Sequence, residues 1–145
     1  MTRIFSENLS SSNCGNLFAL FAEAASAHAG RPFLIVEGEA VLSYGDMPDQ
    51  TGRAAAWLRS VGVYRGERVI VQADKSPAAV ILYLACLRAG AVYVPLNTAY
   101  RESELDYFLS DAEPSLLVAS PDLPGASVAF ARKRVLLGTS LAEAP

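Results

Sequence analysis

The sequence predicts an α/β fold: a doubly wound, mostly parallel sheet with helices on both faces, preceded by an N-terminal helix and a β-hairpin. Three observations carry this. The runs RVIVQA (68–73), AVYVPL (91–96) and SLLVAS (115–120) are short and almost continuously apolar, as strands buried on both faces are. They alternate with segments whose apolar residues recur at helical spacing, the pattern of parallel strands joined by crossovers that are right-handed by default. Glycine, proline and Ser-Pro signals mark the boundaries of these segments, at Gly30, Gly62, Ser76-Pro77, Gly90 and Pro114.

Taken in order, Leu17–Ala29 is expected to be helical, with Leu17, Leu20, Phe21 and Ala24 on one stripe and Gly30 as its stop. His28 falls in the last turn and is read as a residue near the negative end of the helix dipole, in preference to a catalytic group. Phe33–Val36 and Ala40–Tyr44, separated by EGE, form the hairpin. Ser43 followed by Asp46 is a capping-box-like start to a helix that runs to about Val61 and ends at Gly62. After the strand Arg68–Ala73, Ser76 is the N-cap and Pro77 the first residue of a helix, where a missing N–H costs nothing. That helix, AAVILYLACL and onward, is apolar almost all round and must be buried over most of its surface before Gly90 closes it.

Ala91–Leu96 is the next strand, with Pro95 near its end where one lost ladder donor is tolerable. Glu102–Asp111 is a helix with Leu105, Phe108, Leu109 and Ala112 on one face, and Pro114 marks its exit. Ser115–Ser120 is a strand, Pro121–Lys133 a loop with a weak helix, and Val135–Leu137 with its flanks a last strand. Ligands of such sheets sit beyond the carboxyl ends of the strands, here Asp74, Leu96–Asn97, Ser120–Pro121 and Gly138–Thr139. Ser140 and Glu143 form an S-x-x-E helix start that Pro145 leaves without a full turn, so the architecture reads as cut short.

The totals bound the function. With 145 residues, 52% hydrophobic and 19% charged, the chain has the composition of one globular domain with a core. A net charge of −3 supplies no basic face for a phosphate backbone, which argues against nucleic acid as a partner. The longest apolar run, Ala78–Leu87, is too short to span a bilayer, so no membrane partner is expected. Cys14 and Cys86 make neither a metal spacing nor a disulfide framework, and a reducing, cytoplasmic compartment fits this usage. Cys86 is read as a buried thiol acting as a small hydrophobe.

Motifs that usually supply chemistry are missing. The sequence has no G-x-G-x-x-G, no G-x-x-x-x-G-K-[ST], no G-x-S-x-G, no H-E-x-x-H and no C-x-x-C. Glu102, Glu104 and Asp106 succeed one another by two residues, about 200° apart around a helix, so they do not converge on one ion. With Asp111 they are read as dipole-favoured and solvated acids. Tyr44, Tyr64, Tyr83, Tyr93, Tyr100 and Tyr107 are read as core and strand aromatics. No catalytic residue and no metal ligand is assigned.

The segment LYLACLRAGAVYVPLNTAYRESELDYFLSDAEPSLLV closely resembles the N-terminal subdomain of the AMP-forming, adenylate-forming ligases: acyl-CoA synthetases, adenylation domains and luciferases. Leu42-Ser43-Tyr44 matches the family's LSY entry, and Arg88, Gly90, Tyr93, Pro95, Leu96 and Asn97 match its (K/R)-x-G-x-x-Y-x-P-L-N element. Within the family, NTAYRESELDYFLSDAEP is most similar to the malonyl-CoA synthetases. The resemblance implies a two-step reaction. A carboxylate, with malonate or methylmalonate favoured, attacks ATP to give an acyl-adenylate, and the CoA thiol then displaces AMP with Mg²⁺ assisting. It divides the chain into a flexible segment, residues 1–15, and a partial AMP-binding domain, residues 16–145, that ends before the family's phosphate-binding loop. On this reading ATP, CoA and Mg²⁺ belong to the full-length enzyme, the chain alone is inactive and binds none of them tightly, and the rest of the ligase is its expected partner.

One binding residue is carried over: Arg101, as a contact to the CoA 3′-phosphate. In the relatives the basic residue stands a couple of positions earlier, where this chain has Ala99, and a plain surface arginine is the competing reading. Two other functional readings stay open: a non-catalytic module that binds or complements a partner polypeptide, and part of an adenylation domain that loads a carrier protein.

Overall fold

A computed structural model describes residues 15–119 and 134–136. The elements follow the expected order: α1 (Leu17–Ala27), β1 (Pro32–Val36), β2 (Glu39–Ser43), α2 (Met47–Ser60), β3 (Arg68–Gln72), α3 (Pro77–Ala89), β4 (Val92–Pro95), α4 (Glu102–Ala112), β5 (Leu116–Ala119) and β6 (Arg134–Leu136). β1 and β2 form a separate antiparallel hairpin, while the other four make one sheet in the order β4-β3-β5-β6. All three of its pairings are parallel.

The residues of β3 and β5 alternate between two cores. Val69, Val71, Leu116 and Val118 pack with Leu58 of α2 and with Ile81, Leu82 and Ala85 of α3. Ile70 and Leu117 pack with Leu105 and Leu109 of α4. The crossover from β3 to β4 and the one from β4 back to β5 run in opposite directions along the sheet, so crossovers of one hand must cover opposite faces. The sheet is doubly wound.

Local chemistry sets the boundaries. Ser76 Oγ accepts the N–H of Ala79 at 3.2 Å, Pro77 opens α3, and Gly90 closes it at φ +72°. Every residue of α3 except Arg88 is at least partly buried, as its all-round apolarity requires. Asp46 Oδ2 accepts from Ser43 N–H at 2.8 Å and from Ser43 Oγ at 2.6 Å, but a 3₁₀ turn (Tyr44–Asp46) intervenes and α2 begins one residue later. Among the described strands β4 pairs only with β3, and an edge position is where Pro95 is tolerable.

Four expectations need correction. The buried side of α1 is Phe18, Phe21 and Ala25, while Leu17 and Leu20 are 55% and 41% exposed. The helix is apolar in two overlapping phases, and the aromatic one wins because Phe21 meets Phe33 edge-on at 5.3 Å and Phe18 faces the Arg88 guanidinium. The hairpin turn has two residues in positive φ, Glu37 at +53° and Gly38 at +87°, so β2 starts at Glu39 and not at Ala40. Tyr64 and Tyr107 are 63% and 65% exposed and belong to no core. Asp106 is half-buried, with Oδ1 shielded and unpartnered among the described residues, so it is not one of the solvated acids.

The segment 1–14, the loop and weak helix over 121–133, and the Ser140–Glu143 helix start lie outside the described residues, as do Ser120 and Gly138–Thr139.

Candidate functional site

The connection after β3 leads to one side of the sheet and the connection after β5 to the other, which puts the topological switch between these two strands. Gln72 closes β3 at this point, paired with Ala119 at the end of β5. On its other flank the chain leaves β4, with Leu96 N–H donating to Val71 O at 2.8 Å and so extending the ladder by one residue. In open α/β sheets ligands bind beyond the strand ends at such a switch; here that crevice position is flanked by the carboxyl ends of β3 and β5 and by the turn 97–100.

That turn is built from its own side chains outward. Asn97 Oδ1 accepts the Ala99 N–H at 2.9 Å, and Asn97 O accepts the Tyr100 N–H at 3.1 Å. The Tyr100 ring stacks on Phe108 of α4, with centroids 5.2 Å apart and planes at 24°. Gln72 then ties the turn to the sheet: its Nε2 donates to Asn97 O and to Tyr100 O, each at 3.0 Å. Two carbonyls can only accept, so the nitrogen of the amide must be the atom facing them.

Arg101, the one binding residue expected from the sequence, follows this anchored turn directly and is exposed. Its backbone N–H donates to Glu104 Oε2 at 2.9 Å, and its guanidinium makes no hydrogen bond or ion pair with a described residue. A guanidinium has no acceptor, so the reciprocal half of a capping box is absent here. Asp74 is exposed at the end of β3 and Asn97 is spent on the turn. His28 is exposed as the C-cap of α1, its N–H on Ala25 O at 3.1 Å and its ring 6.3 Å from Tyr44, on elements outside the crevice.

The acids do not gather. Among the described residues, no three His, Cys, Asp or Glu side chains come together as a metal site. Beneath the sheet Tyr93 meets Tyr83 edge-on at 5.3 Å, and burial, with Cys86 and Tyr83 beside it, pushes its hydroxyl above the usual tyrosine range. The ring packs between the sheet and α3, as a strand aromatic does.

Sequence reasoning missed Gln72. The signal was available: a lone amide ends the apolar run RVIVQ, and an amide buried to 1% exposure requires partners.

Comparison with known proteins gives these features a family. The AMP-binding enzyme family matches residues 21–143. The probable CoA ligase CCL9 of Humulus lupulus is 32% identical over 105 residues, 72% of this chain and 20% of that protein. Tyrocidine synthase 3 of Brevibacillus parabrevis is 31% identical over 107 residues, 74% of this chain and 2% of that protein. The crystal structure of apo MatB from Rhodopseudomonas palustris superimposes with a TM-score of 0.62 at 43% identity, covering 73% of this chain and 21% of that one. The chain thus spans about a fifth of the length of the CoA ligase it matches. In membrane terms, no helix among the described residues is long and apolar enough to cross a bilayer. With the match running over most of its length, the chain belongs to the AMP-binding enzyme family, the adenylate-forming ligases, and corresponds to the N-terminal part of their fold.

Proposed function

We propose that this chain is the N-terminal scaffold of a cytoplasmic carboxylate–CoA ligase that forms an acyl-adenylate from ATP and passes the acyl group to CoA. The observation that carries the reading is the turn 97–100, which begins at the Asn of the Tyr-x-Pro-Leu-Asn element and is held at the switch point by Gln72. It presents an uncommitted guanidinium, Arg101, beside the crevice. Five N–H donors in a planar fork suit a phosphate, so the residues present fit the 3′-phosphate of CoA. Malonate or methylmalonate is the favoured acid, on the resemblance of residues 97–114 to the malonyl-CoA synthetases.

ATP and Mg²⁺ would serve the adenylation step in the whole ligase, where catalysis is largely charge neutralisation around phosphates. No described residue is assigned to either. The 145 residues alone are therefore proposed to be inactive, with residues 16–145 as a partial AMP-binding domain. The test compares the product of the gene's full reading frame with the 145-residue chain, each given ATP, Mg²⁺, CoA and a panel of carboxylates. Malonate-dependent AMP and thioester from the full product alone is the expected result. Thioester from the 145-residue chain refutes inactivity, and no carboxylate-dependent AMP from the full product refutes the ligase reading.

The similarity to tyrocidine synthase 3 favours a second reading, in which the acyl group goes to a carrier protein. Offering a phosphopantetheinylated carrier beside CoA in the same assay separates the two. A third reading, a non-catalytic module that complements a partner polypeptide, draws on the exposed Leu17, Leu20, Ile35 and Val41. Co-purification with a larger polypeptide that carries the missing motifs would support it.

A further inference from the structure

We propose that Gln72 is a positioning residue: from β3 it fixes the turn between β4 and α4, and so aims Arg101 at the anionic end of an incoming CoA. The inference rests on the ligand reading above for Arg101, but its structural half stands on Gln72 itself.

Gln72 sits where three things meet. It is the last residue of β3, it pairs with Ala119 across the switch point, and it spends both hydrogens of its amide on one loop. The two carbonyls it holds, Asn97 and Tyr100, are the first and last of a four-residue turn. One amide thereby fixes both ends of the turn relative to the sheet. Asn97 and Tyr100 are themselves joined by the Tyr100 N–H to Asn97 O bond, and the Tyr100 ring is stacked on α4. Tyr100 is the residue before Arg101, so its carbonyl belongs to the peptide unit that sets where the Arg101 side chain begins. Among the described residues nothing holds the guanidinium itself, while Arg101 O accepts the N–H groups of Glu104 and Leu105, so the side chain starts from a backbone fixed by the turn on one side and by α4 on the other.

Packing does not account for this arrangement. At the same end of β3 an apolar residue of equal size would fill the space, but would leave two carbonyls without a donor they now have. A buried amide with both hydrogens committed to a single loop is what holding that loop requires.

The test uses the 145-residue chain with Gln72→Met, which keeps the volume and removes both donors, and Gln72→Glu, whose ionised carboxylate cannot donate. Arg101→Ala is the comparison. Hydrogen exchange of the Ala99 and Tyr100 amides is measured against Ile70 and Val71 in the strand. CoA and 3′-dephospho-CoA are titrated in parallel into the product of the full reading frame carrying the same substitutions, because the 145-residue chain alone is not expected to bind CoA tightly. Both Gln72 variants are expected to speed exchange in the turn about tenfold while the strand amides hold. They are also expected to erase the preference for CoA over dephospho-CoA, itself about tenfold, as Arg101→Ala does. In Gln72→Glu, lowering the pH until the carboxyl is protonated restores one donor and part of the protection, which a purely steric role would not show.

Unchanged exchange in both variants overturns the inference, and a strand that exchanges as fast as the turn does the same by assigning the effect to general unfolding. Fast exchange with the CoA preference intact overturns the link from Gln72 to Arg101. A preference that is absent in the unaltered full product, or survives Arg101→Ala there, overturns the ligand reading and not the anchoring of the turn.

Discussion

Arg88 of α3 lies across Gly52 of α2, so closely that a Cβ on Gly52 would stand 3.2 Å from the Arg88 Nη1 atom. The same nitrogen donates to Pro48 O at 2.6 Å and to Thr51 Oγ1 at 3.1 Å, and the guanidinium sits 5.3 Å from the centre of the Phe18 ring. One arginine thus joins α2, α3 and α1. Arg88 is also the first residue of the family element, which gives that position a structural purpose separate from catalysis.

Removing the arginine should cost stability in a way that depends on residue 52. Arg88→Ala is expected to destabilise by about 1–2 kcal/mol through its lost hydrogen bonds. Gly52→Ala alone sets a helix-propensity gain of about 1 kcal/mol against displacement of a doubly bonded guanidinium, and is expected to be neutral or unfavourable. With Arg88 already replaced, the same change should stabilise by about 0.5–1 kcal/mol, because the obstacle is gone. Urea midpoints for the four members of the cycle check this, and strict additivity would refute the contact.

The backbone makes a second prediction at the ends of two helices. Gly90 (φ +72°) and Glu113 (φ +43°) are both left-handed caps, but only one is the residue suited to it. Gly90→Ala should cost about 1–2 kcal/mol, from the backbone alone. Its added Cβ would also meet Arg65 Cγ at 3.0 Å. Glu113→Gly should instead stabilise by about 0.5–1 kcal/mol, since it relieves the left-handed strain and removes an acid from the negative end of a helix. Thermal unfolding should move in opposite directions for the two variants.

Which features could be read from the sequence follows from how local their causes are. The boundaries of α3 were legible because Ser76, Pro77 and Gly90 each act within one turn. The parallel sheet was legible because double-sided burial leaves continuous apolar runs in β3 and β5. The phase of α1 was not, since Leu17, Phe18, Leu20 and Phe21 permit two stripes, and only contacts with distant Phe33 and Arg88 choose between them. Gln72 was visible as an odd residue, but its partners lie 25 and 28 positions away. Arg101 was placed by resemblance alone, and the structure adds its exposure and the anchored turn before it.

A third prediction concerns acid. The hydrogen bonds from the Ser43 hydroxyl, and then from its backbone N–H, hold the Asp46 carboxyl below the usual carboxylate range. A folded-state pKa that is lowered contributes stability above the unfolded value of about 3.9 and loses it as pH falls through the folded one. The protein should therefore be more stable than its Asp46→Asn variant at neutral pH, with the gap closing below about pH 4. Ser43→Ala should shrink the same gap. A difference that does not change with pH would show that the carboxylate's charge is irrelevant to the start of α2.

The last prediction turns on Cys86, which is fully enclosed between α3 and the sheet. Burial pushes its thiol up to about 12, because a thiolate there would have no water and no cation to stabilise it. At pH 8 the reactive thiolate is then rarer by about a thousandfold than for an exposed cysteine, before access is considered. Site-resolved alkylation with iodoacetamide should leave Cys86 unmodified in the native chain and label it fully in denaturant. Its native rate, if measurable, should track the unfolding equilibrium, so that the destabilising Gly90→Ala raises it and the stabilising Glu113→Gly lowers it. Rapid native labelling would mean that the core around α3 opens locally, and α3 could not then be the rigid support on which β4 and its turn depend.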